Sequence, residues 1–190
     1  MPAPDDPRAY DALFDAPEPS AEQRAAVRLW QATDRFYERV QDFARGLSTE
    51  PRAGEAHDAL AELIRGSRTA LPLTAWRGNR DARKATGLDV TALESLIGVT
   101  HRLTGFVAAS LDWTIAVHEF TRPPLRGGAF LVQLRIPIGV HVGWLPPIGS
   151  ERLRYQQELL LYRPTVRYWA VDRRNPALPV LVCEVMNDDS

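Results

Sequence analysis

The sequence of 190 residues contains a single cysteine, Cys183, so no disulfide bond can form within the chain. Because the largely apolar run at 179–185 surrounds it, we expect Cys183 to be a buried, small hydrophobic side chain. The cysteine count leaves the redox compartment open. A chain of this length buries enough surface to fold without a disulfide or a structural metal.

Long apolar stretches are also missing. No segment approaches the roughly 20 apolar residues that span a membrane. Residues 1–19, rich in Pro, Asp and Ala, lack the apolar core of a secretory signal peptide. We therefore expect a cytoplasmic protein, or an effector that is secreted or delivered without a Sec signal peptide. The sequence could also be a fragment of a longer toxin.

Lysine is nearly absent, since Lys84 is the only lysine among 23 basic residues. These face 24 acidic residues, and the net charge of −1 provides no overall attraction to nucleic acid or anionic membranes. A GC-rich genome explains the arginine bias, and so does selection against lysine in a protein delivered into a host that ubiquitinates lysines. Six arginines in the last quarter of the chain form either a solvated face or a docking surface for an acidic partner or nucleic acid: Arg152, Arg154, Arg163, Arg167, Arg173 and Arg174.

Motifs for metals and nucleotide phosphates are missing as well. The four histidines are dispersed without the spacing of metal ligands, so we expect no metal site: His57, His101, His118 and His141. The sequence has no Gly-x-Gly-x-x-Gly motif and no P-loop. Ser110 lacks the glycine context of a nucleophile elbow.

Helical patterns occupy the first part of the chain. We expect residues 1–19 to form a flexible N-terminal arm and residues 20–190 to form a single domain. Ser20 and Gln23 have the spacing of a capping box, which predicts a helix start. Apolar residues then recur at helical spacing as far as Gly46. A second helix is predicted over about 54–67.

Strand patterns dominate the remainder. The predicted strands lie at 73–76, 105–109, 129–136, 140–144, 159–161, 166–171 and 180–185. Short helices are predicted at 90–97 and 112–120, and a loop at 79–88. Helices followed by short strands indicate the α+β class, with antiparallel strands in two packed sheets.

Two residues at the end of the first predicted strand have the chemistry of a phosphate site. The guanidinium of Arg77 offers planar, paired donors that suit a phosphate or a ribose hydroxyl. Gly78 allows its backbone to approach a flat ring closely. Taken alone, the pair also fits an arginine exposed at a strand end.

A polar triplet precedes the leucines of the strand at 159–161. Because side chains alternate along a strand, we expect Gln156 and Glu158 to face one side and Gln157 the other. A strand that crosses from solvent into the core explains the same pattern.

Together these segments resemble the mono-ADP-ribosyltransferases, in the Arg-Ser-Glu class and the Gln-x-Glu subtype of bacterial toxins and exoenzymes. That family has an aromatic-Arg-Gly triplet after Leu-Pro-Leu, matched at 71–78, and a Gln-x-Glu triplet, matched at 156–158. Its helix pattern of Tyr, Asn and Arg is matched in part by Tyr37, Gln41 and Arg45. The resemblance covers about residues 24–185. It implies an ADP-ribosyltransferase-like split β-sandwich of two antiparallel sheets with N-terminal helices.

The resemblance also implies a reaction, in which NAD loses nicotinamide and ADP-ribose passes to a macromolecular acceptor. The acceptor is expected to be a protein, with nucleic acid as an alternative, and a toxin of this kind can have an immunity protein as partner. Glu158 would stabilise the positive charge that develops on the ribose, Gln156 would present the acceptor, and Arg77 completes the implied catalytic set. The residues implied to hold NAD are Arg77, Gly78, Gln41, Arg45, Ser110, Phe120 and Arg122. For the last five, the alternatives are a solvated helix face for Gln41 and Arg45, a helix cap for Ser110, an ordinary helix end for Phe120 and an exposed arginine for Arg122.

One position departs from the family pattern. The family has Ser-Thr-Ser after an aromatic residue, whereas this chain has Ala108-Ala109-Ser110, and the hydroxyl implied to orient Glu158 is missing at Ala108. Three hypotheses follow: an active ADP-ribosyltransferase, in the role of a toxin or effector domain; a catalytically impaired binding module with the same fold; and an NAD glycohydrolase that transfers ADP-ribose to water.

Overall fold

The computed structural model describes residues 7–187, in which helices precede most of the strands. The α-helices in this range are α1 (Ala21–Trp30), α2 (Phe36–Ala44), α3 (Pro51–Gly66), α4 (Ala82–Thr86) and α5 (Trp113–Phe120). Short 3₁₀ helices cover Pro7–Leu13, Val90–Leu96 and Glu151–Gln156. The strands are β1 (Phe14–Asp15), β2 (Arg68–Thr69), β3 (Leu73–Asn79), β4 (Thr100–Arg102), β5 (Phe106–Ser110), β6 (Phe130–Ile136), β7 (Gly143–Trp144), β8 (Glu158–Tyr162), β9 (Thr165–Asp172) and β10 (Val180–Val185). The α+β class is confirmed.

The predicted first helix is two helices. The expected capping box starts α1, because the Ser20 side chain accepts from the Gln23 backbone and the Gln23 side chain accepts from the Ser20 backbone. The helix ends at Trp30, where Gln31 is the C-cap. Helix α2 begins after Arg35, whose left-handed φ of 61° interrupts the helical path. Helices α1 and α2 are therefore separate elements, and α1 ends at Trp30.

Eight strands form one hydrogen-bonded sheet in the order β4-β9-β10-β6-β3-β5-β8-β7, and β1 pairs with β2 separately. The prediction of antiparallel strands holds for most neighbours, but β10 and β6 run parallel. Strands β3 and β5 are paired only at Trp76 and Ser110, which divides the large sheet into a five-strand part and a three-strand part. The candidate site lies at this division.

The leucines of β8 connect the two parts of the apolar core. Leu160 packs with buried residues of α1, α2 and α3, whereas Leu159 and Leu161 pack with the residues of the opposite face. All three side chains are almost completely buried. Each contributes about 1.5–3 kcal/mol relative to an exposed side chain. Strand β8 is therefore held firmly between the helices and the rest of the sheet.

Part of the predicted N-terminal arm packs on this scaffold. Phe14 stacks on Trp144 with ring centroids 4.7 Å apart. The Trp144 indole donates to Asp11 Oδ1 at 2.7 Å. Residues 1–6 of the arm lie outside the described residues, and its flexibility and the division at residue 19 stay predictions.

Residues 7–187 show neither a membrane-spanning helix nor a metal-binding cluster. No helix in this range has the length and apolar character needed to cross a membrane. The same residues contain no group of three or more His, Cys, Asp or Glu side chains arranged to hold a metal ion. The loop predicted at 79–88 contains α4, whose N-terminus is capped by the Asp81 side chain.

Candidate active site

A cavity of about 360 Å³ opens where the two parts of the large sheet meet α1 and α5. Its volume lies in the range of small-molecule sites. The lining residues are Trp30, Gln31, Ala32, Tyr37, Gln41, Trp76, Arg77, Gly78, Ala108, Ala109, Ser110, Phe120, Leu153, Gln156 and Glu158. Seven predicted site residues are among them, whereas Arg45 and Arg122 do not line the cavity. Predicted site residues as far apart in the sequence as Gln41 and Glu158 therefore line the same cavity.

Arg77 supplies the positive charge of this cavity. It lies on β3, and its Nη1 donates to the Ala108 carbonyl oxygen at 2.8 Å. Burial lowers the pKa of the Arg77 guanidinium, the positive charge of Arg45 lowers it further, and the negative charge of Glu158 opposes both effects. Arg77 remains a cation at physiological pH because an arginine starts from a very high pKa.

The glycine after Arg77 is required by helix packing. A Cβ at Gly78 would collide with the Ala116 carbonyl oxygen of α5 and would lie 2.6 Å from Phe120 Cβ. The absence of a side chain lets α5 pack directly on β3. The predicted contact of the Gly78 backbone with a flat ring stays a prediction, since the packing already accounts for this residue.

Glu158 is the negative group of the cavity and the first residue of β8. Trp30 Nε1 donates to its Oε1 at 3.0 Å, and Gln31 Nε2 donates to its Oε2 at 3.0 Å. Burial raises the pKa of the Glu158 carboxyl, while the two hydrogen bonds and the charge of Arg77 oppose that rise. The carboxylate is thus partly desolvated and held by neutral donors on both oxygens.

Sequence reasoning did not find Trp30 and Gln31. Trp30 lies among the apolar residues that recur at helical spacing, and a tryptophan in that pattern is typical of a core. Its partner in the site is 128 residues away in the sequence, and no local pattern indicates such a contact. The side chains reach Glu158 because α1 ends there rather than continuing into α2.

The prediction that Gln156 and Glu158 share a strand face is wrong. Gln156 ends the 3₁₀ helix, Gln157 has a left-handed φ of 46°, and β8 begins only at Glu158. Gln156 nevertheless lines the cavity, and its Nε2 donates to Glu119 Oε2 of α5 at 2.7 Å. The turn at Gln157, rather than strand alternation, brings Gln156 and Glu158 to one side.

Ser110 connects the elements around Gln156. Its Oγ donates to the Gln156 carbonyl oxygen at 2.6 Å and accepts from the Asp112 backbone N–H at 2.9 Å. Asp112 in turn caps α5 through the Thr114 backbone N–H. The buried hydroxyl therefore fixes the 3₁₀ helix and the start of α5 together.

Four other predicted residues have distinct surroundings. The Gln41 carboxamide donates to Phe106 O at 2.7 Å and accepts from Phe106 N at 3.0 Å, so both its ends are engaged by backbone. Phe120 is exposed at the cavity rim. Arg45 and Arg122 are exposed, and Arg45 is near enough to lower the pKa of Arg77. The roles implied for these residues toward NAD stay predictions.

Known structures share this fold. The chain superposes on the C3 exoenzyme of Clostridium limosum with a TM-score of 0.72 and 14% identity, covering 95% of this chain and 93% of the other. It superposes on Plx2a, an ADP-ribosyltransferase toxin from Paenibacillus larvae, with a TM-score of 0.70 and 16% identity over 89% and 88% of the two chains. For C3stau2 from Staphylococcus aureus, solved with NAD, the TM-score is 0.69 at 16% identity, again over 89% and 88%.

The chain therefore has the ADP-ribosyltransferase fold that the sequence resemblance predicted. No protein-family model and no curated protein sequence matches it. Identities of this size establish the architecture alone. The chemistry of this chain depends on its own residues.

Proposed function

We propose that this chain is an NAD-dependent mono-ADP-ribosyltransferase, which transfers ADP-ribose to a macromolecular acceptor, releases nicotinamide and acts as a bacterial toxin or effector domain. The observation that carries the proposal is the meeting of Arg77, Gln156 and Glu158 in one cavity. These three residues were selected from sequence motifs alone, and they come from three separate elements of the fold.

The residues of the cavity fit NAD. Within residues 7–187, the one hydrogen bond of the Arg77 side chain goes to the Ala108 carbonyl oxygen, so the other guanidinium N–H groups remain for phosphate oxygens or ribose hydroxyls. The exposed ring of Phe120 at the rim offers a face for a flat ring. NAD supplies the ADP-ribosyl group when bound. Arg77 would hold its diphosphate part, and Gly78 would lie beside its nicotinamide end.

Glu158 would perform the chemical step by charge stabilisation. An anion held beside a carbon that develops positive charge lowers the barrier most where water is excluded. Burial removes water from Glu158, and hydrogen bonds from Trp30 and Gln31 keep both oxygens in place. The carboxylate would bind a ribose hydroxyl and stabilise the ribosyl centre as nicotinamide leaves.

Gln156 would orient the acceptor. The Nε2 of Gln156 already donates to Glu119. The Oε1 of Gln156 is therefore available for a hydrogen bond from the group that receives ADP-ribose. Large aromatic side chains are exposed at the cavity rim and next to Gln156 in the sequence, namely Phe120 and Tyr155. Exposed aromatic residues are typical of protein contact surfaces, and we propose a protein acceptor on that basis.

Incubation with labelled NAD and a cell lysate tests the proposal. Nicotinamide release and label on protein and on nucleic acid are followed for the wild type, Glu158→Ala and the control Glu94→Ala, which removes an exposed glutamate outside the cavity. We expect Glu158→Ala to lose at least about 10²-fold in nicotinamide release, as for other removed transition-state contacts. Turnover that survives in Glu158→Ala would refute the mechanism. Label on nucleic acid and not on protein would refute the protein acceptor and identify nucleic acid as the acceptor.

A non-catalytic NAD-binding module is the second candidate, and the methyl group of Ala108 in the cavity favours it. That candidate requires NAD binding that depends on Arg77 without nicotinamide release from the wild type. Release of nicotinamide without any labelled macromolecule would instead indicate an NAD glycohydrolase.

A further inference from the structure

We propose that Trp30 and Gln31 are positioning residues that hold Glu158 in its reactive orientation, in the place of a hydroxyl at position 108. The inference rests on the proposed function, because it assigns a role within the same site. Its geometric basis is that both donors reach the carboxylate from the C-terminal end of α1, one to each oxygen.

The orientation of the Gln31 carboxamide is determined by a second contact. Its Oε1 accepts from the Ser150 backbone N–H at 2.8 Å, and a backbone N–H can only donate. The opposite end of the amide must then be the NH₂ group, which donates to Glu158 Oε2. The amide therefore presents a donor to Glu158, and it links the catalytic carboxylate to the segment that leads into the 3₁₀ helix at Glu151–Gln156.

Close packing keeps both side chains in place. The Trp30 ring is buried and lies 5.5 Å from the Phe106 ring and 5.9 Å from the Tyr37 ring, between ring centroids. Gln31 lies against Gly149, where any Cβ would collide with Gln31 Oε1. The absence of a side chain at Gly149 allows the carboxamide to reach both of its partners.

The donors to Glu158 are neutral, so they leave the negative charge of its carboxylate uncompensated. An arginine or lysine at hydrogen-bond distance would neutralise Glu158 and weaken its attraction for a developing cation. An indole N–H and a carboxamide N–H fix the two oxygens and leave the full negative charge available. Arg77 is the charged group that acts on Glu158.

Position 108 lies on the same side of the sheet and offers an independent test. Ala108 pairs with Leu160 in the β5–β8 register, and Ser110 pairs with Glu158. Residues two apart on a strand share a face, so Ala108 is the diagonal neighbour of Glu158, and both line the cavity. A hydroxyl introduced at 108 could therefore reach the carboxylate.

A double-mutant cycle between Gln31→Met and Ala108→Ser tests the assignment. We expect Gln31→Met to lower kcat for nicotinamide release about tenfold, because it removes a hydrogen bond to a charged group, with KM for NAD within about twofold. Ala108→Ser alone is expected to change kcat by less than about threefold, since both oxygens already have donors. In the Gln31→Met background the same serine should restore most of the lost rate, and this coupling distinguishes positioning from general structural damage.

Trp30→Phe provides a second probe with a matched control. It keeps an aromatic ring in the core and removes the N–H donor together with part of the indole, so we expect a loss in kcat similar to that of Gln31→Met. Trp144→Phe makes the same chemical change at an indole that donates to Asp11, away from the cavity, and should leave kcat unchanged. A large gain from Ala108→Ser alone, additive effects in the cycle, or full activity of both probes would overturn the assignment.

A measurement without turnover separates this inference from the proposed function. The Glu158 carboxyl can be titrated by ¹³C NMR, with Glu158→Gln used to assign its signal. Loss of a donor to the ionised form should raise the pKa of Glu158 in Gln31→Met and in Trp30→Phe relative to the wild type. An unchanged titration would refute the positioning role even in an active protein. A raised pKa in a protein that releases no nicotinamide would support it and refute the proposed function.

Discussion

Glu158 and Glu94 both accept two side-chain hydrogen bonds, and their surroundings shift their pKa values in opposite directions. Glu94, on the 3₁₀ helix Val90–Leu96, is exposed and accepts from Nε and Nη2 of Arg173, which lowers its pKa to about 2. Glu158 lies in the cavity, where burial raises its pKa in spite of the hydrogen bonds from Trp30 and Gln31. The same residue type thus lies in two opposite electrostatic environments.

The difference lies in the donors and in the access of water. Glu94 meets a guanidinium, whose charge and fork geometry satisfy a carboxylate completely. Glu158 meets neutral donors, so its negative charge is oriented but not cancelled. A partly desolvated, uncancelled charge is unfavourable for folding and useful in catalysis, which is why shifted pKa values concentrate at functional sites. The comparison predicts which substitutions affect the reaction and which affect only the fold.

The largest expected effect on NAD binding comes from Arg77, the cation whose charge acts on Glu158. Arg77→Lys keeps the positive charge and removes the planar fork, so we expect NAD to bind about 10–100-fold more weakly, as for the loss of a charge-assisted hydrogen bond. Arg173→Lys makes the same change at the Glu94 pair and should leave NAD affinity unchanged. Calorimetric titration with NAD measures both. Equal NAD affinities for the two variants would show that Arg77 does not bind NAD.

Local sequence patterns were sufficient for much of this architecture. The capping box at Ser20, the strand that leads into Arg77 and the short helix at 112–120 follow from short-range chemistry and are confirmed. Arg77 and Glu158 could be selected only through the family resemblance, since each alone also fits an ordinary polar residue at the end of a strand. Their meeting in one cavity could be expected only through the family resemblance.

The contacts that sequence reasoning missed are long-range or depend on a single backbone angle. The hydrogen bond from Gln31 to Glu158 spans 127 residues, and it requires the helix break that ends at Arg35. The strand prediction for Gln156 failed because Gln157 adopts a left-handed conformation. A non-glycine residue in that conformation has no reliable local signal, since tertiary packing has to impose it.

The pH dependence of the reaction extends the comparison. In the proposed reaction the ionised form of Glu158 would stabilise positive charge, and the pKa of this carboxyl is raised above the ordinary value of 4.5. Nicotinamide release should therefore fall as pH decreases through a midpoint above that value, where an ordinary glutamate is still ionised. The acid limb of kcat/KM against pH measures this midpoint. A midpoint at or below 4.5 would show that Glu158 is not desolvated in solution, or that it is not the titrating group.

The smallest effect is expected at Glu94, and it should appear in stability alone. The pKa of Glu94 is lowered in the folded state, so the ionised form stabilises the fold at pH values above its ordinary value of 4.5, and this contribution is lost as pH falls toward about 2. Glu94→Gln should lower Tm slightly at neutral pH, because exposed ion pairs contribute little. The difference in Tm between wild type and variant should shrink across that acid window while nicotinamide release at neutral pH stays unchanged.

Glu158 should show the opposite sign, since a raised folded pKa makes its ionised form unfavourable for folding above that pKa. A Tm difference between wild type and Glu94→Gln that is constant with pH would mean that packing, and not charge, holds Glu94 against Arg173. The contrast between the two glutamates would then depend on Glu158 alone.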